Sequence, residues 1–112
     1  MLEGLLKNLP KDVVDAINFF LKNLVKEELD DVEVYLFGSY ARGDWIEDSD
    51  IDLVVVSPKF KDMPICDRLT MLRRLAPDTH AFEILAYTPK ELEEAKYSVL
   101  IGDAMEYWIK LL

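Results

Sequence analysis

Two acids stand two residues apart, at Asp50 and Asp52, in the run Gly38-Ser39-Tyr40-Ala41-Arg42-Gly43-Asp44-Trp45-Ile46-Glu47-Asp48-Ser49-Asp50-Ile51-Asp52-Leu53. Side chains alternate along a strand, so both carboxylates point one way, about 6.6 Å apart at the backbone by the strand rise. Ile51 and Leu53 point the other way, toward a core. Hard oxygen ligands on one rigid edge suit Mg²⁺, which takes one or two carboxylates, several waters and substrate phosphates. Two cations about 3.5–4 Å apart fit such an edge, the arrangement of in-line phosphoryl displacement. Two like charges on a half-buried strand repel unless a cation neutralises them. Taken alone, the same acids equally describe a solvated turn leading into an edge strand.

Ten residues separate Asp50 from the pair Gly38-Ser39, which comes directly after a β-rich run. Strand, glycine, then the start of a helix makes an anion site, because free backbone N–H groups and the helix dipole face the ligand. Glycine admits a phosphate close to the backbone, and the Ser39 hydroxyl adds a donor. An ordinary N-cap serine after a turn glycine has the same appearance. Together the two features form a register in which Gly38-Ser39 anchors a triphosphate and Asp50 and Asp52 hold its cation. Arg42, one helical turn after Ser39, suits a phosphate contact. It equally suits a salt bridge to Asp44, Glu47 or Asp48 that orders the loop, and these three acids read as solvated.

The elements that must position these groups follow from periodicity. Leu2, Leu5, Leu6 and Leu9 form a short apolar helical stripe, and Pro10 suits the first turn of a new helix. Val13, Ile17, Phe20, Leu21, Leu24 and Val25 recur at spacings of 3 and 4, predicting an amphipathic helix to about Leu29. Val32–Phe37 reads as a strand, Ser39–Asp44 as a short helical turn and residues 45–50 as loop. Ile51–Val56 is a second strand. Ile65, Leu69, Leu72 and Leu75 mark a helix that stops near Pro77, and Ala81–Tyr87 is a third strand. Thr88-Pro89-Lys90-Glu91 is a capping box that starts a helix. A last helix is predicted over Val99 to Leu111. The order α-β-α-β-α-β-α defines a mixed α/β (α+β) class: a small mixed sheet, three-stranded or slightly larger, with helices packed on it. The short link between the first two strands favours an antiparallel pair.

The 112 residues suit one domain, 1–112. Thirteen Lys and Arg against 22 Asp and Glu leave a formal charge of −9. That excludes electrostatic gripping of a nucleic-acid backbone or an anionic membrane surface, but not one nucleotide held through a divalent cation. No apolar run approaches a membrane helix, and the start MLEGLLKNLP lacks the basic region of a secretion signal. The single cysteine, Cys66, excludes an intramolecular disulfide and a cysteine-based zinc cluster, and fits a reducing cytoplasm. Cys66 itself is expected to pack. His80, without a Cys or His partner nearby, is expected to be structural. Arg68, Arg73 and Arg74 are expected to form a solvated face, toward which an acceptor could lean. The terminal helix is apolar over more than one stripe, either capping the core or offering a partner surface.

The run GSYARGDWIEDSDIDLVVV closely resembles the signature of the DNA polymerase β-like nucleotidyltransferase superfamily, and looks most like its minimal nucleotidyltransferase (MNT) branch. The resemblance implies the nucleotidyltransferase fold and transfer of a nucleoside monophosphate from an NTP, ATP first among them, to an acceptor hydroxyl with release of pyrophosphate. It implies Mg²⁺, as two ions, on Asp50, Asp52 and a third carboxylate of a later strand. Glu83, the lone acid within AFEILAY, is that candidate, where the family usually has Asp. A Glu on the solvated face of an edge strand is the alternative. Gly38, Ser39 and Arg42 become the nucleotide-binding residues. Stand-alone MNT proteins are often antitoxins that adenylylate a HEPN-domain toxin, and the ten-residue gap resembles that subgroup. A catalytically idle binding module, or a small-molecule nucleotidyltransferase completed by a separate helical subunit, remain the other readings. Base preference and oligomeric state, homo-oligomer included, stay open.

Overall fold

A computed structural model describes residues 6–112. The expected stripe over residues 2–9 lies outside the described residues at Leu2 and Leu5. Its described end is a turn in which Leu9 N donates to Leu6 O at 3.0 Å, with Leu6 buried. Helix α1 (Lys11–Lys26) follows Pro10 at its N-cap, and Val13, Ala16, Ile17, Phe20, Leu21 and Leu24 are its buried face. The helix stops earlier than the apolar pattern predicts. Glu28 and Asp31 take positive φ values of 54° and 44°, which a continuing helix does not allow.

Strand β1 (Glu33–Phe37) runs without a linker into the single-turn helix α2 (Gly38–Arg42). Gly43, at φ 91°, ends α2 in the left-handed region that glycine enters without steric cost. Strand β2 (Ile51–Val56) comes next, then a 3-10 turn over Pro58–Asp62. Helix α3 (Ile65–Arg73), strand β3 (Phe82–Tyr87), helix α4 (Pro89–Ala95), helix α5 (Val99–Tyr107) and strand β4 (Ile109–Lys110) complete the described chain. The capping box at α4 forms as expected: Glu91 N donates to Thr88 Oγ1 at 3.1 Å, and Thr88 N donates to Glu91 Oε1 at 2.8 Å.

The sheet order is β3-β2-β1-β4. β1 pairs antiparallel with β2, as the short link requires, and with β4; β2 and β3 are parallel. The predicted terminal helix is therefore corrected. α5 ends at Tyr107, Trp108 turns extended (φ −66°, ψ 151°), and its ring stacks on Tyr35 at 4.0 Å between centroids. The freed backbone then joins the sheet, with Leu111 N donating to Val34 O at 2.7 Å. Pairing beside β1 supplies hydrogen bonds that an extra turn of α5 would leave as an open sheet edge.

Strand alternation divides the core in two. Val34, Leu36, Ile51, Leu53, Val55, Ile84 and Ala86 face α1 and Leu72 of α3. Phe37, Val54 and Val56 face Ile101 and Ala104 of α5, with Leu92 and Ala95 of α4 packed alongside. Asp52 and Glu83 share parity with that second face.

Two further expectations are overturned. Arg68 is not on a solvated face but 3% exposed. Its guanidinium donates to Met63 O (2.9 Å), Ala86 O (3.2 Å) and both carboxylate oxygens of Glu91 (2.6 and 3.2 Å), with its carbon 5.6 Å from the Phe60 ring centroid. Five donors in a planar fork match this set of acceptors, which makes burial tolerable. Cys66 is exposed rather than packed, while Arg73 and Arg74 are exposed as expected. His80 does carry structure: Nε2 lies 2.8 Å from Asp12 Oδ2, tying α1 to the approach to β3.

Candidate nucleotide-binding and transfer site

The site is built where three strands meet one helix start. In the β1–β2 register Phe37 lies opposite Asp52, and in the β2–β3 register Asp52 lies beside Glu83. Because α2 starts directly after Phe37, Gly38 sits over the Asp52 side chain. Gly38 has φ +74°, and a Cβ there would fall 1.9 Å from Asp52 Oδ2. Glycine is required twice, once for the backbone angle and once because the carboxylate occupies the space of a side chain.

A cleft of about 350 Å³ opens beside this junction. Gly38, Ser39 and Arg42 form one wall, and Asp52 and Glu83 stand on the sheet side. Five of the six residues expected to act thus meet in one cavity. Asp50 is exposed, lies just before β2 and does not line the cleft. Its charge still reaches Asp52, whose carboxyl is pushed up to about 6. Burial is the main cause, followed by the negative charges of Glu83 and Asp50, with Arg42 pulling the other way. The loop that delivers Asp50 is fastened: Ile46 N donates to Ser49 Oγ at 2.9 Å, Ser49 N donates to Ile46 O at 3.1 Å, and Trp45 stacks on Tyr40.

Arg42 makes one of its anticipated loop salt bridges and also borders the cleft. Its Nε donates to Asp44 Oδ2 at 3.2 Å, an exposed pair, while the residue borders the cleft. Exposed pairs of this kind are worth about 0–1 kcal/mol, so the guanidinium is free to exchange partners. α2 is only five residues long, too short for an appreciable macrodipole. Donors for an anion are therefore the first-turn N–H groups, the Ser39 hydroxyl and Arg42.

Among the described residues no three Asp, Glu, His or Cys side chains close into a ready cation cage. The donors present are all carboxylate oxygens gathered around a side chain that burial and like charge leave poorly stabilised. That set fits a Mg²⁺ ion whose remaining ligands are waters and phosphate oxygens.

The sequence reasoning missed the opposite wall. Leu100, Asp103, Ala104 and Tyr107 of α5 also line the cleft. Their 3-1-3 spacing is a helical-face signal, but the wide apolar surface of this helix hides which face meets the cleft.

The profile of the nucleotidyltransferase domain family matches residues 20–109, so the chain belongs to that family. Two Methanocaldococcus jannaschii proteins, each named "putative protein adenylyltransferase", are similar. One is 41% identical over 56 residues, 47% of this chain and 52% of that protein; the other is 35% identical over 63 residues, 54% and 57% respectively. The chain spans about half the length of these curated relatives. A crystal structure of a "putative nucleotidyltransferase" from Sulfolobus solfataricus aligns with a TM-score of 0.51 and 29% identity, covering 77% of this chain and 82% of that one. A second crystal structure with the same description aligns at 0.58 and 26% identity, covering 82% and 94%.

Proposed function

We propose that the chain is a Mg²⁺-dependent nucleotidyltransferase that moves AMP from ATP to a hydroxyl of a protein acceptor and releases pyrophosphate. The observation that carries this reading is the contact of Gly38 with the Asp52 carboxylate, beside Glu83 in the same cleft. A triphosphate laid on Gly38 and Ser39 comes directly against the acids that its cation requires. The names of the two archaeal relatives support a protein as the acceptor. By the MNT resemblance, that protein is a HEPN-domain toxin, with the chain as its cytoplasmic antitoxin.

In this mechanism Ser39 and the first-turn amides of α2 hold the β/γ end of the triphosphate, and Arg42 leaves Asp44 to join them. Bound Mg²⁺ supplies neutralisation of phosphate charge and a lowered acidity barrier at the attacking oxygen. Asp50 and Asp52 hold that charge in place. Asp52 or Glu83 takes the proton of the acceptor hydroxyl as its oxygen bonds to the α-phosphorus and the bond to pyrophosphate breaks. Positioning and charge neutralisation provide most of the rate. Glu83 is exposed on the edge strand β3, and its register beside Asp52 keeps it at the cleft.

The test is incubation of the purified protein with Mg²⁺, α-labelled ATP and the product of its neighbouring gene. Label on that protein is expected, and Asp52→Asn is expected to remove it by at least about a hundredfold while leaving folding intact or improved, since like-charge repulsion is relieved. Full transfer by Asp52→Asn, or a tight complex without label, overturns the proposal.

A further inference from the structure

Helix α5 has two faces with different duties. Ile101, Ala104, Met105 and Trp108 pack into the second core cluster. Leu100, Asp103 and Tyr107, at i, i+3 and i+7, stand along the cleft opposite the phosphate-facing wall. The cleft face is chemically unusual for a helix whose other side is core. Leu100 and Tyr107 are 55% and 54% exposed. Among the described residues Asp103 makes no ion pair, although Asp52 and Glu83 already make the cleft acidic. The Asp103 carboxylate, exposed at the cleft, is available to accept from a ligand's donors.

The two walls are complementary to the two ends of one molecule. Gly38, Ser39 and Arg42 offer donors, as a phosphate chain needs. The α5 wall offers an accepting carboxylate and, one turn further on, a half-exposed aromatic side chain that lines the cleft. A sugar carrying two neighbouring hydroxyls and a flat heteroaromatic base present the matching surfaces. Base–aromatic stacking of this kind tolerates any base and contributes about tenfold or more in affinity. We propose that the α5 wall is the nucleoside subsite, with Tyr107 stacking on the base and Asp103 accepting hydrogen bonds from the ribose hydroxyls. The inference rests on the transferase reading above. It assigns binding affinity to α5 and leaves the chemistry on β2 and β3.

Equilibrium binding with Mg²⁺ separates the two claims. Three probes are compared: ATP, 2′,3′-dideoxy-ATP and inorganic tripolyphosphate. Wild type is expected to bind ATP about tenfold or more tightly than tripolyphosphate. Tyr107→Ala is expected to reduce that ratio severalfold without weakening tripolyphosphate, and Tyr107→Phe to keep it. Asp103→Ala is expected to make ATP no better than its dideoxy analogue. Tyr97→Ala, at a side chain 94% exposed away from the cleft, is the control and is expected to change nothing. A full ATP preference in both Tyr107→Ala and Asp103→Ala overturns the subsite while leaving the transferase reading standing. Failure of wild type to bind either ATP or tripolyphosphate overturns the transferase reading, and the subsite falls with it.

Discussion

At the scale of single residues, the two positive-φ glycines separate structure from chemistry. Both Gly38 and Gly43 occupy the left-handed region, where a Cβ costs roughly 1–2 kcal/mol. At Gly43 a Cβ would meet nothing within 4 Å, whereas at Gly38 it would strike Asp52. Gly43→Ala is therefore expected to lose about 1 kcal/mol of stability by denaturant titration, and Gly38→Ala more than that, because the Asp52 side chain must also shift. Only Gly38→Ala is expected to lose nucleotide transfer as well. Equal activity loss in the two would show that the Asp52 contact is irrelevant. The sequence made Gly38, Ser39, Asp52 and Glu83 legible because their placement follows from local rules. A strand alternates, a glycine admits close approach, and a lone acid among apolar neighbours calls for a reason. Asp103 and Tyr107 obey a local rule too, but their face is defined only by what α5 packs against. Nothing near them in the chain states that.

At the scale of elements, Arg68 shows how far apart the determinants of one buried group can lie. It joins α3 to β3 through Ala86 O and to the start of α4 through Glu91. Three nearby arginines read as a solvated face because the acceptors that bury one of them come from distant segments. Arg68→Ala is expected to cost about 1–3 kcal/mol, measured by denaturant unfolding, because the buried Ala86 carbonyl loses its side-chain donor while Glu91, 41% exposed, turns to water. Glu91 also sets an acid limit. Hydrogen bonding from Arg68 holds its carboxyl below the ordinary value near 4.5. Its contribution is therefore fully present above about pH 4.5 and lost as pH falls through the lower folded value. Thermal midpoints taken from pH 7 to pH 3 are expected to drop below pH 4.5 in wild type. The drop is expected to be shallower in Glu91→Gln, whose midpoint is already lower at pH 7. Helix and strand types were legible throughout this stretch. The end of α5 was not, because Ile109 and Leu111 fit an apolar helix as well as a strand, and only the open edge of β1 decides between them.

At the scale of the whole molecule, charge and site must be weighed together. A formal −9 and a cleft rich in carboxylates repel a bare polyphosphate. ATP in the presence of a chelator is expected to bind more weakly than with Mg²⁺, and that residual binding is expected to strengthen as salt rises, because screening weakens repulsion. Isothermal titration at low and high ionic strength measures both; residual binding that weakens with salt would mean that a cationic surface dominates instead. The sheet carries a consequence for how the chain is made. β4 finishes the flank of β1, yet it is synthesised long after β1. While the ribosome is still adding the preceding helix, that flank stays an unsatisfied template for any passing strand. A nascent polypeptide stalled before Ile109 is therefore expected to be the sticky species, captured by holdase chaperones, and the pairing of Ile109–Lys110 beside β1 is what covers that flank.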